Sequence, residues 1–146
     1  MIIRLLLLLV FTISASAKPN IVFIIADDCT FRDLGCYGGQ AHTPNINKLA
    51  GQGMSFTRCF QTAPMCSPTR HNIYTGIPPV VSGAYPNHTF VAPDTKSVVQ
   101  YLSKLGYAVA QSGKTHVSPN KVFSWKKIPG GQNPQFGKVD SFIKEQ

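Results

Sequence analysis

The sequence predicts an α/β fold, a mixed or largely parallel sheet covered by helices, and three observations carry that prediction. Residues 20–26, Asn20-Ile21-Val22-Phe23-Ile24-Ile25-Ala26, form a continuous apolar run that ends in Asp27 and Asp28. A strand apolar on both faces belongs inside a covered, largely parallel sheet. Strand-like and helix-like segments then alternate without an internal repeat, the pattern of a doubly wound sheet. In such sheets, functional groups gather at the carboxyl ends of the strands.

The elements follow in order. Thr43-Pro44-Asn45 opens a helix with Thr43 as N-cap, Pro44 at the first helical position and Gly53 as stop. Ile46, Leu49 and Ala50 give it an apolar stripe. Residues 54–60 alternate partly between apolar and polar and read as a second strand. Pro68 lies just inside a further helix running to about Gly76. Residues 78–93 are rich in Pro, Gly and Asn, a long loop of the kind that shapes a site. Asp94-Thr95 is expected to cap a helix over residues 96–105, with Gly106 as stop. Residues 107–111 read as the next strand and deliver Ser112-Gly113-Lys114-Thr115-His116. Residues 119–137 carry little helix signal, and residues 139–145 are amphipathic.

The amino terminus addresses the chain. Arg4, an apolar run over residues 5–13 and the ending Ser14-Ala15-Ser16-Ala17 describe a secretory signal peptide, residues 1–17. The run is too short for a stable membrane span, and no later stretch approaches that length. The chain is expected to be exported, to the periplasm, the exterior or a lysosome according to its source, without stable membrane insertion. Residues 18–146 are enough for one small domain.

The net charge of +8 suits an anionic partner such as sulfated polysaccharide. No run of Lys and Arg marks a nucleic-acid patch, so no nucleic-acid partner is expected. Cys29, Cys36, Cys59 and Cys66 match neither a compact disulfide framework nor a zinc pattern. They are expected to be mostly buried and reduced.

Three segments concentrate reactive groups, each following a strand. Asp27 and Asp28 make an oxygen-ligand pair for a hard divalent cation, provided the backbone turns where the strand ends. The ordinary reading is an acidic turn. In Cys66-Ser67-Pro68-Thr69-Arg70 the thiol lies at a helix N-terminus, where free amides favour negative charge, and Arg70 is one turn on. That suits a nucleophile attacking an oxyanion ester beside a fixed cation. The ordinary readings are a core thiol and a solvated helix charge. Lys114 and His116, two apart on an extended segment, offer a fixed charge and a proton-exchanging ring. Each alone is more often a surface residue.

Together these residues resemble the type I sulfatases. Residues 19–28 are similar to the family's opening strand, and Thr43-Pro44-Asn45-Ile46-Asn47-Lys48-Leu49-Ala50 with Gly53 to its first helix. Cys66-Ser67-Pro68-Thr69-Arg70 with Tyr74-Thr75-Gly76 resembles the Cys-x-Pro-Ser-Arg signature, Thr69 replacing the usual Ser. Gly113-Lys114-Thr115-His116 matches the family's Gly-Lys-x-His. Residues 83–88 and 114–119 look most like heparan N-sulfatase-like members.

The resemblance implies an alkaline-phosphatase-like fold and hydrolysis of sulfate esters or sulfamates, with a sulfated carbohydrate or other sulfate ester as substrate. It implies that a formylglycine-generating maturation enzyme oxidises Cys66 to Cα-formylglycine. Calcium would be bound by Asp27, Asp28 and residue 66, and Arg70 and Lys114 would offset charge on the nucleophile and the sulfuryl oxygens. His116 would take a proton so that the sulfated intermediate collapses. Alternatives are a phosphate or phosphonate monoesterase of the same superfamily and a non-catalytic module binding sulfated glycans. After His116 the acids are Asp140 and Glu145, and Asp140 precedes Ser141, unlike the Asp-Asn or Asp-His pair that completes the family's metal site. Residues 18–146 are therefore expected to form an N-terminal portion that is incomplete at its C-terminus, inactive alone and prone to aggregate.

Overall fold

The structure is a computed structural model and describes residues 18–146, so the signal-peptide reading of residues 1–17 lies outside the described residues. Its elements are a 3-10 turn at Gly35–Tyr37, α1 (Pro44–Gln52), α2 (Cys66–Thr75), α3 (Pro79–Ser82), α4 (Val98–Lys104), β1 (Ala110–Gln111), β2 (Lys126–Lys127) and α5 (Phe136–Lys144). The strands β1 and β2 pair in parallel, Ala110 opposite Lys126 and Gln111 opposite Lys127. Lys126 N–H donates to Val109 O at 2.9 Å and Ile128 N–H to Gln111 O at 2.9 Å, extending the ladder at both ends. Helices around a parallel pair keep the chain in the α/β class.

The core sits beside this ladder. Ala84, Val91, Val99, Val122, Phe123 and Trp125 are buried together, with Tyr74, Val109 and Val117 packed against them. Aromatic edges knit it: Tyr74 meets Trp125 at 5.0 Å between centroids and 72°, a T-shaped pair. The elements that carry residue 74, residues 84–91 and residues 109–125 are thus fastened to one another, and they also carry the site.

Several elements differ from expectation for local reasons. Helix α1 keeps the expected bounds, yet Ile46 and Leu49 on its stripe are exposed. Helix α2 starts at Cys66, two residues before Pro68, and ends on Gly76 in the left-handed conformation at φ 72°, whose N–H donates to Asn72 O. Helix α4 starts later than Asp94-Thr95 would place it. Ser97 caps it, accepting from Val99 N–H, and the Gln100 side chain accepts from Ser97 N–H at 2.7 Å. That reciprocal pair satisfies two donors at once and outcompetes the acidic cap.

Residues 20–26 and 54–60 are not in strands, because neither finds a ladder partner among the described residues. Ile21, Val22, Phe23 and Ile24 are all exposed, Ile24 to 81%. A contiguous apolar segment with free backbone groups is a self-association surface. The chain is therefore expected to associate as its concentration rises, and Ile24→Lys to weaken that association. Sedimentation velocity checks this, and identical profiles for both chains would remove the explanation.

Candidate active site

The extended segment 20–26 ends in a turn at Asp27 and Asp28, where Asp28 takes the left-handed backbone conformation at φ 50°. The turn frees the two carboxylates from the opposite-face rule of a strand. Asp27 reaches two cations, Arg70 Nη2 at 3.2 Å from Oδ1 and Lys114 Nζ at 2.5 Å from Oδ2. Asp28 Oδ1 lies 3.9 Å from Cys66 Sγ.

Helix α2 supplies the thiol and the guanidinium. Its buried residues are Ser67, Pro68, Arg70 and His71, a single stripe at helical spacing. Arg70 is 5% exposed, so the solvated-charge reading does not hold. Its fork spans two segments, since Nη1 donates to Lys114 O at 2.8 Å while Nη2 holds Asp27. Thr69, which departs from the usual Ser, donates from Oγ1 to Ala63 O at 2.5 Å and so ties the helix start to the preceding segment.

Charge is arranged around Asp27. The Lys114 hydrogen bond, the largest effect, holds the Asp27 carboxyl below the ordinary carboxylate range against the opposing effect of burial, and the weaker Arg70 hydrogen bond adds to it. Asp27 in turn raises the Lys114 ammonium above its usual value. The stability linked to Asp27 is fully present above the ordinary carboxyl value and is lost as pH falls through the depressed one. That linked to Lys114 is present at neutral pH and is lost as pH rises through the raised value. The pair therefore stays ionised across the neutral range.

Segment 113–116 turns its side chains into a cavity of about 610 Å³, lined by Lys114 and His116 together with His88 and Lys127. Burial lowers His116 most, and the positive surroundings of His88, Lys114 and Arg70 lower it further, while Asp27 opposes them. The imidazole is thereby kept neutral near physiological pH. His116 Nε2 lies 2.9 Å from His88 Nδ1.

The structure brings Asp27, Asp28 and Cys66 into one cluster, whose ligand atoms all lie within 4.8 Å of one another. Arg70 and Lys114 converge on it through Asp27, and His116 stands on the same segment as Lys114. Two carboxylates suit a hard cation such as calcium, whereas a thiol does not. The donor set thus fits calcium once the sulfur at residue 66 is replaced by oxygen.

One expectation needs correcting here. The cysteines are free, as expected, but none is buried: Cys29 and Cys59 are exposed, and Cys36 and Cys66 intermediate. They lie on the turn, the uncovered segment and the helix start rather than in the core. Sequence reasoning also passed over His71, which is 0% exposed. Its Nδ1 donates to Ser67 O at 2.8 Å, and its Nε2 accepts from Ser118 N–H at 3.2 Å. His71 thus ties the start of α2 to the segment after His116. The signal for it was positional, since Ser67 and His71 are one turn apart on the face that carries Arg70.

A thiol at a helix start, paired carboxylates and two cations thus meet on an α/β frame. The sulfatase family model matches residues 19–144, and the chain belongs to the sulfatase family, with its alkaline-phosphatase-like α/β fold. The chain is 43% identical to an ulvan-active sulfatase of Formosa agariphila over 113 residues, 77% of this chain and 23% of that protein. It is 39% identical to an N-acetylgalactosamine-6-O-sulfatase of Bacteroides thetaiotaomicron over 108 residues, 70% and 21% of the two chains. Against human arylsulfatase A it is 36% identical over 130 residues, 82% of this chain and 25% of that one. The chain spans about a quarter of the length of these relatives.

Proposed function

We propose that this chain carries the nucleophile-bearing, N-terminal portion of an exported sulfuric ester hydrolase acting on sulfated carbohydrate. In this reading residues 1–17 direct export, and residues 18–146 belong to the sulfatase domain. A formylglycine-generating enzyme converts Cys66, which is partly exposed at the start of α2 and so within a modifying enzyme's reach. The observation that carries the reading is the convergence of Asp27, Asp28 and Cys66 within 4.8 Å, with Arg70 and Lys114 gathered on Asp27.

Asp27, Asp28 and residue 66 would hold a calcium ion, which when bound supplies a positive centre that makes a hydroxyl at residue 66 easier to deprotonate. Arg70, fixed by Lys114 O and Asp27, orients the site and offsets negative charge on the sulfuryl group. Lys114 adds a second cation on the cavity side. His116 is the proton-exchanging group beside them. The sulfated-carbohydrate substrate class rests on the names of the relatives, which include ulvan-active and N-acetylgalactosamine-6-O sulfatases.

Calcium takes about six to eight oxygen ligands, more than this cluster offers, so turnover is proposed to need further donor groups. The test is to express the chain with and without a formylglycine-generating enzyme and to analyse the peptide spanning residue 66 by mass spectrometry. Loss of the sulfur and capture of an aldehyde by a hydrazide are expected only with the enzyme. The chain alone should hydrolyse an aryl sulfate no faster than its Cys66→Ala variant. A thiol that persists under full maturation conditions overturns the proposal.

A further inference from the structure

Strand β2 and the turn after it complete the cavity wall, and they carry a cation that the proposed chemistry leaves unused. β2 runs parallel to β1 with Lys127 opposite Gln111, two residues before Gly113. The carboxyl ends of neighbouring parallel strands are where such sheets place ligand-binding groups. Lys126 and Lys127 are adjacent in a strand, so their side chains leave on opposite sides. Lys126 Nζ lies 5.3 Å from the centre of the Phe142 ring and 4.0 Å from Glu145 Oε2, and is thereby turned to α5. Lys127 instead lines the cavity with Lys114, His88 and His116.

This wall is held against the segment that carries Lys114. Ile128 N–H donates to Gln111 O at 2.9 Å. Gly113 has φ 83°, and a Cβ there would lie 3.2 Å from Gln132 O and 3.3 Å from Pro134 Cδ, so the turn after β2 packs closely onto a glycine. His88 and His116 take the left-handed backbone conformation at φ 65° and 50°, a strained geometry that gathers at functional sites.

Charge in the cavity is one-sided. Among the described residues no Asp or Glu lines it. Lys114 is paired with Asp27, whereas Lys127 has no ion-pair partner among the described residues. A cleft walled by one sign of charge concentrates the opposite ion. The volume of about 610 Å³ falls within the roughly 300–1,000 Å³ of sites for small organic ligands, room for a sugar as well as one tetrahedral anion.

We infer that Lys127 is a specificity-determining residue that binds a second anionic group of the glycan, a carboxylate or a further sulfate, while the first sulfate lies at Lys114. The inference rests on the proposed sulfatase reading for that first sulfate. It narrows the substrate from any sulfated carbohydrate to a polyanionic one.

Titrations of the whole chain at constant ionic strength, followed by backbone nitrogen–hydrogen spectra, test it with three disaccharides. One joins neutral sugars and bears one sulfate, one joins neutral sugars and bears two, and one joins a hexuronate to a monosulfated hexosamine. At least one doubly charged probe should bind about fivefold more tightly than the singly charged one, and which of them does so identifies the second group. Lys127→Met should abolish that advantage, and Lys127→Arg should keep it. Lys127 is exposed, so neither substitution disturbs the core. Lys126→Met removes the same charge from the other side of β2 and should keep the advantage. Equal or absent binding of all three probes by the unaltered chain overturns the inference. So does an advantage that survives Lys127→Met or falls equally in Lys126→Met. None of these readouts uses turnover or a matured residue 66, so a thiol that persists there removes the sulfatase reading without touching them.

Discussion

Replacing His71 with Ala is expected to destabilise the chain by about 3 kcal/mol, as read by urea denaturation. Two losses add. The ring is 0% exposed and packs edge-on against Phe123 at 5.5 Å, so truncation leaves a cavity in a region where little can collapse into it. Truncation also strips Ser118 N–H of the nitrogen it donates to at 3.2 Å, leaving a donor without a partner. His71→Asn separates the two. Its amide can still donate to Ser67 O but falls short of Ser118, so it should recover part of the loss and no more. Full recovery by Asn would show that the Ser118 contact contributes nothing, and the bridge between the two site segments would then have to be abandoned.

Arg70→Lys should cost about 2 kcal/mol, although it conserves charge. A guanidinium fork makes two bonds in diverging directions, to Lys114 O at 2.8 Å and to Asp27 Oδ1 at 3.2 Å, and an ammonium on a flexible stem cannot make both. Most of the cost comes from the carbonyl arm, because Asp27 is 37% exposed and its ion pairs are screened by solvent. The variant also carries a pH signature. The Asp27 carboxyl is depressed by Lys114 first and Arg70 next, so weakening the Arg70 bond lets its folded-state value climb back. The stability gap between the two chains should then be widest at neutral pH and narrow as acid protonates Asp27 in both. A gap that stays constant from neutral to acid pH would mean that Arg70 and Asp27 are not coupled.

Reading the chain from residues alone singled out the segments that the structure brings together, and left their surroundings incomplete. Helix α1 and the Gly76 stop of α2 were legible because Pro, Thr and Gly act through local backbone rules. Asp27, Asp28, Cys66, Arg70, Lys114 and His116 were legible because motif spacing survives folding. What spacing could not convey was pairing. Residues 20–26 have the composition of a central strand, but a strand is defined by its neighbours, and among the described residues none lies beside it. The cap of α4 was misplaced because Asp94-Thr95 and Ser97 with Gln100 are both sound local signals. The choice fell to Val122 O, which accepts from Ser97 Oγ at 2.6 Å across the fold. His71 escaped for the same reason, since its bond from Ser118 N–H joins positions 47 residues apart.

Glycine would enter the backbone territory of Asp28, His88 and His116 freely, whereas side chains there impose strain. A randomised library sieved for foldedness alone should therefore drift toward glycine at these three codons. One sieved for catalysis should retain the carboxylate and the imidazoles despite their discomfort. The divergence between the two populations would measure, in residue frequencies, how far selection for reactivity has held this scaffold from its easiest shape.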